Sequence, residues 1–258
     1  YQRNQLMHSH LLVNGCSYTA GSEIEGSGVG EGNYNRQNCY AAQIAKKLNW
    51  EYTNIAMPGG SNDYIKRTTM LWILDNPERA KNTHFFINWT GAERTEYFYD
   101  NWDNNRYSLN KFIPYTPDKK VLHLHPQHYP DWAPKAWRKN LDILGDHLFI
   151  NPVQWQINRY MNIIELQSFL KANNFSYTFR NSLQACSNTK RYKYYASKID
   201  KQNFLYWDDE SYSFFENCLA QGHSVEGQMY WHHRLPAHTY WADKLWESSF
   251  ALYSSNHL

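Results

Sequence analysis

The sequence predicts an α/β protein: a three-layer α/β/α sandwich around a central parallel sheet, folded as a single domain over residues 1–258 with an aromatic-rich insertion over residues 100–150. Three observations predict it. Short apolar runs alternate with stretches of helical periodicity, in the order strand, helix, strand, helix, strand, between residues 11 and 88. That alternation calls for right-handed crossovers, which cover both faces of a parallel sheet. The length of 258 residues is enough for one full core.

Leu11, Leu12 and Val13 form an apolar run ending in Asn14-Gly15, as a buried strand that enters a turn at once would. A Gly-rich loop runs from Gly21 to Gly32. Tyr40, Ile44 and Leu48 then recur at helical spacing through CYAAQIAKKL, and Tyr52 to Ala56 fits the next strand. After the turn Met57-Pro58-Gly59-Gly60, Ser61 or Asn62 is expected to cap a helix bearing Ile65, Thr69, Trp72 and Ile73 on its apolar side. The strand HFFIN lies around Phe85 to Asn88. Residues 100–150, rich in Asn, Pro, Tyr, Trp and His, have no clear period and read as an insertion over the sheet. A long helix fits Trp155 to Leu170, with Ile157, Tyr160, Met161 and Ile164 on one face. Ser176 to Arg180 fits another strand, and Pro236 to Leu252 a closing helix with Trp241, Ala242 and Leu245 inward.

Composition narrows the function classes. The 26 basic and 24 acidic residues are interspersed, so no block can displace counterions along a phosphate backbone, and nucleic acid is not an expected partner. No apolar run approaches the roughly 18 residues of a membrane span, and the first residues lack the sections of a secretory signal, so a soluble chain without a membrane partner is expected. Cys16, Cys39, Cys186 and Cys218 are widely spaced and suggest neither a zinc ribbon nor a disulfide framework. The 21 Tyr, 12 Phe and 11 Trp suit either core packing or flat platforms for sugars and partner surfaces.

Ligands of such sheets bind beyond the C-terminal strand ends. LLVNGCSYTAG places Ser17 there, directly after a strand and a tight turn, where a hydroxyl can enter a cleft and adjacent N–H groups can face an oxyanion. A serine at a helix start is also an ordinary cap.

Gly15-Cys16-Ser17-Tyr18-Thr19 resembles the GDSx(T) block of the SGNH (GDSL-like) hydrolases, with Cys16 where Asp is usual. Asn54-Ile-Ala-Met-Pro-Gly59 resembles their second block, and His232-His-Arg-Leu-Pro-Ala-His238 their last. The variant NGCSYTAG, NIAMPGGSND and a strand ending in WTGAERTE looks most like SGNH-type proteins encoded by tailed phages.

The resemblance implies a flavodoxin-like SGNH hydrolase fold and a serine esterase of carboxylic esters, with an O-acetyl carbohydrate esterase as the finer reading. It implies Ser17 as nucleophile, Gly59 as oxyanion donor and His232 as base, with a small-molecule or polysaccharide ester as substrate and no cofactor. Host cytoplasm or the virion follows as location, with virion association as a partner role.

Two departures from the family pattern leave positions open. Met229 stands where an Asp would precede the catalytic His, so Glu226, Asp208 or Asp209 is the candidate to orient the imidazole. Ala92 stands where the third block supplies an Asn, so Asn62 or Thr90 is the candidate replacement donor. His233 competes with His232 as base, whereas His238 suits packing or capping. Arg94 suits either an ion pair with Glu93 or Glu96, or a substrate anion.

Other chemistries compete. His123, His125 and His128 in VLHLHPQH have metal-ligand spacing but no nearby carboxylate. Cys16 beside a helix start suits a thiolate. A catalytically degenerate carbohydrate-binding or virion-associated module would use Trp102, Tyr107, Tyr115, Trp132 and Trp137 as stacking surfaces.

Overall fold

The computed structural model describes residues 8–25, 33–98, 121–124, 152–183, 190–207, 213–223, 225 and 232–250, with only the backbone of 33, 95–98 and 121–124. The first strand, β1 (His10–Asn14), is buried along its whole length, as its uninterrupted apolar run requires of a strand covered on both faces. It runs into α1 (Ser17–Ala20), which ends on Gly21 at φ 79°, a left-handed cap that glycine adopts without a Cβ penalty. The helices α2 (Asn33–Asn38) and α3 (Tyr40–Leu48) lead to β2 (Glu51–Asn54). Next come α4 (Asn62–Asp75), α5 (Pro77–Ala80) and β3 (Thr83–Trp89).

A small antiparallel ladder joins β4 (Thr95–Phe98) to β5 (Val121–Leu124), pairing Thr95 with Leu124 and Phe98 with Val121. The chain continues through α6 (Pro152–Ala172), β6 (Ser176–Asn181), the short α7 (Lys193–Ala196), α8 (Phe214–Ala220) and α9 (Leu235–Leu245). A π-turn over Trp246–Phe250 extends α9.

Among the described residues, β2, β1, β3 and β6 form a parallel sheet in that order. Side chains alternate strictly across it. Leu11, Val13 and Phe86 pack with Tyr40 and Ile44 of α3 and Trp241 and Leu245 of α9. Leu12, Phe85, Ile87 and Trp89 pack with Ile65 and Ile73 of α4 and Tyr160, Ile163 and Leu166 of α6. Helices therefore cover both faces, which makes the expected three-layer sandwich. The order β2-β1-β3 is the flavodoxin-like one, in which ligands bind between the carboxyl ends of β1 and β3.

The long helix keeps most of its expected face, with Tyr160 in the core and Ile157 and Ile164 packed against it, and departs from it at Met161. Met161 is exposed, and the buried residues are Arg159, Tyr160, Asn162, Ile163, Leu166, Gln167 and Leu170. Polar partners widen the buried stripe beyond its apolar residues: Arg159 Nη2 donates to Asn181 Oδ1 at 2.8 Å and Asn162 Nδ2 to Asp63 Oδ1 at 3.0 Å.

Candidate active site

The turn carrying Ser17 is held by a relay of buried polar groups. Asn14 Oδ1 accepts from Gly15 N–H at 2.8 Å, while Asn14 Nδ2 reaches the Ile65 carbonyl and the Thr68 and Thr69 hydroxyls of α4 at 2.9–3.0 Å. Tyr40 donates to Asn88 Oδ1 at 3.0 Å and lies 3.0 Å from Thr19 Oγ1, which in turn lies 3.1 Å from Ser182 Oγ. A Cβ at position 15 would sit 2.3 Å from Thr19 Oγ1 and 3.0 Å from the Asn88 carbonyl oxygen, so this approach admits only glycine.

The second turn docks beside the first. Met57 N–H donates to the Gly15 carbonyl at 3.1 Å. Asn54 Nδ2 donates to the Thr19 carbonyl at 2.9 Å, and Asn54 Oδ1 accepts from Ala56 N–H at 3.0 Å. Gly59 is exposed at φ 78°, and among the described residues no hydrogen bond takes up its N–H or that of Ser17.

His232 approaches this end of the sheet from the opposite end of the sequence. Its ring packs on that of Tyr18, the neighbour of Ser17, with centroids 4.8 Å apart. Its Nδ1 lies 3.0 Å from Oε2 of Glu23, a carboxylate whose side chain is 9 % exposed. Nδ1 itself is buried and its N–H is off the straight line to that oxygen, so the contact has ion-pair distance without an aligned hydrogen bond. None of the ring's 16 % exposure is at Nδ1. Burial lowers the His232 pKa below 6.5, Glu23 opposes that shift, and Arg94 reinforces it, so the imidazole is neutral near pH 7 and able to accept a proton.

Ser17 is 4 % exposed and Oγ makes no hydrogen bond among the described residues, to His232 or to any other group. Such bonds are commonly loose before substrate binds.

The remaining sequence candidates fall as follows. His233 is buried with Nε2 3.2 Å from the Phe215 carbonyl. His238 Nδ1 accepts from Tyr40 N–H at 3.2 Å, which caps the first turn of α3, and its ring stacks on Tyr40. Asn62 departs from both of its expected roles. Ser61 caps α4, its side chain accepting from Tyr64 N–H, whereas Asn62 Nδ2 donates to the Thr90 and Gly91 carbonyls and Asn62 Oδ1 accepts from Thr90 N–H. Both amide hydrogens are thus committed to clamping the loop after β3, and none is left for an oxyanion. Thr90 Oγ1 is buried without a hydrogen bond.

Arg94 has its Nε and Nη1 buried without a hydrogen bond, and the side chain of Glu96 lies outside the described residues. Cys16 is fully buried in the core on the α3 side. Glu226, Asp208 and Asp209 lie outside the described residues, as do the aromatic residues named for the insertion, His125 and His128, and the side chain of His123. Glu23 was not legible as a site residue, because nothing in a Gly-rich loop announces a partner more than two hundred positions away.

The fold and its grouped turns define an α/β sandwich protein with a candidate site at the carboxyl ends of β1, β2 and β3. The chain belongs to a family of unknown function (DUF6071), whose model matches residues 24–247. Among solved structures it is similar to the psychrotrophic esterase EstA from Pseudoalteromonas sp., inhibited by monoethylphosphonate, with a TM-score of 0.49, 11 % identity, and coverage of 95 % of this chain and 98 % of that one. It is also similar to TesA, with a TM-score of 0.47, 13 % identity, and coverage of 92 % and 96 %. No curated protein matches the chain. Among the described residues no helix is long and apolar enough to cross a membrane.

Proposed function

We propose that the protein is a serine ester hydrolase of the SGNH type, with Ser17 as nucleophile and His232 as general base. One observation carries the reading: a neutral histidine from near the end of the sequence packs against the turn that presents Ser17, at the strand ends where this architecture binds ligands. The SGNH-like blocks around Ser17, Gly59 and His232 support it independently.

In this reading His232 Nε2 takes the Ser17 hydroxyl proton as Oγ bonds to the ester carbonyl carbon. The carbonyl π electrons move to oxygen, and the N–H groups of Ser17 and Gly59 face the resulting oxyanion. Collapse of the tetrahedral intermediate breaks the bond to the alcohol, which leaves with the proton held on Nε2. Water repeats the sequence on the acyl-enzyme, releasing the acid and restoring Ser17.

The substrate class proposed is a carboxylic ester, with an O-acetyl group on a carbohydrate as the finer assignment. The rival is a non-catalytic module of the same fold, and the lack of a Ser17–His232 hydrogen bond among the described residues favours it. Turnover of p-nitrophenyl acetate by the wild type, lost in Ser17→Ala and in His232→Gln, is the expected result. Equal background rates in all three proteins would leave the module as the reading.

A further inference from the structure

We infer that Glu23 is the positioning carboxylate of this site, taking the part that an acid shortly before the histidine plays in related hydrolases. The inference rests on the hydrolase reading above and adds a residue that it does not require.

The geometry is specific. Glu23 follows Ser17 by six positions, just past the left-handed cap at Gly21, and is itself held at φ 63°. A left-handed conformation in a residue with a Cβ is uncommon and unfavourable, and it persists only where surrounding contacts impose it. Arg234 imposes one of them, its Nη1 donating to the Glu23 carbonyl at 2.7 Å. The loop after α1 and the segment before α9 are thereby tied together, and the Glu23 side chain is directed at the imidazole that precedes Arg234 by two residues.

A carboxylate this buried is rarely tolerated without a partner, and Oε2 has one in Nδ1 of His232 at 3.0 Å. A carboxylate cannot donate, so its negative charge 3.0 Å from Nδ1 favours the tautomer with the proton there, although the N–H is not aligned on Oε2, and leaves the Nε2 lone pair as the base. When Nε2 takes the serine proton, the imidazolium forms beside a fixed negative charge. Among the described residues, the charged and titratable groups around the ring are Glu23 on the loop after α1, Tyr18 on α1, Arg94 on the loop after β3, and His233 and Arg234 in its own segment.

The test uses the full chain and p-nitrophenyl acetate, with Glu23→Gln and Glu23→Asp beside the wild type and Ser17→Ala. Glu23→Gln is expected to lower kcat by as much as ~10⁴-fold, the size of effect seen when an orienting carboxylate becomes an amide, with KM little changed. Loss of the negative charge lowers the His232 pKa, so the acid limb of kcat/KM moves to lower pH. Glu23→Asp keeps the charge and is expected to hold that limb near its wild-type position, with an intermediate kcat. Wild-type turnover that Ser17→Ala abolishes but Glu23→Gln leaves unchanged, limb included, overturns the assignment of Glu23 alone. No turnover in the wild type overturns both readings. Should Glu23→Gln fail to fold, nitrogen NMR of His232 in the wild type decides. A proton on Nδ1 upholds the assignment, and a proton on Nε2 overturns it.

Discussion

Lowering the pH from 7.5 to 5.5 should destabilise this protein through two histidines that take no part in the proposed chemistry. His84 lies in β3 with Nδ1 2.7 Å from Ser176 Oγ and Nε2 2.9 Å from Thr178 Oγ1, both on β6. Desolvation, with a smaller contribution from His8, pushes its pKa down to about 3. His238 is likewise pushed down to about 3, by desolvation first and then by His233 and His232. Protonating His238 at Nδ1 would also displace the Tyr40 N–H that this nitrogen accepts. In the unfolded chain each ring titrates near ~6.5.

The folded pKa values are depressed, so this stability is fully present above the unfolded pKa. It falls away as pH drops from there toward about 3, because the unfolded chain binds the protons that the folded one refuses. Between pH 7.5 and 5.5 each histidine therefore contributes a loss of about 1.4 kcal/mol, and the pair about 2.7 kcal/mol. That is a large share of the ~5–15 kcal/mol that holds a typical domain together. Urea denaturation at the two pH values measures the total loss, to which His10, pushed down to about 4 chiefly by desolvation, also contributes. In His84→Gln, compared with itself across the same interval, the loss should shrink by about 1.4 kcal/mol. A wild-type loss below ~1 kcal/mol, or a loss equally large in His84→Gln, would refute the assignment of His84 as a buried neutral base.

Two further outcomes follow from the candidate site. Gly15→Ala should cost about 1–3 kcal/mol in urea denaturation, because its Cβ has nowhere to go between Thr19 and the Asn88 carbonyl, and unchanged stability would contradict the packing described. Arg94→Met removes a cation whose charge disfavours the protonated form of His232, so the titration of that ring, followed by NMR, should move to higher pH, and a move to lower pH would contradict it.

How far the sequence could be read depended on the range of the interaction involved. The strand at Leu11–Val13, the helix from Tyr40 and the cap at Ser61 are governed by neighbours a few positions away, and local patterns revealed them. The face of α6 was legible at Ile157, Tyr160 and Ile164 but not at Arg159 and Asn162, which are buried through hydrogen bonds to Asn181 and Asp63 that an apolar period does not register. Asn62 looked like a cap or an oxyanion donor because of its place after Gly59, yet its partners, Thr90 and Gly91, lie on another loop. The turn at Ser17 was recognisable from a short block of sequence. Glu23 was not, since its meeting with His232 exists only once the two ends of the chain have folded together.

The relay from Asn88 through Tyr40 and Thr19 to Ser182 means that α1 need not be stable in its own right. A four-residue helix would not persist alone in water, and this one is fastened through Thr19 on one side and Gly15 on the other rather than through the Ser17 side chain. The scaffold and the reactive position are thus separable inheritances: the hydroxyl at 17 can be exchanged while its seat keeps its shape, which leaves the seat free to be reused for a different chemistry or for none.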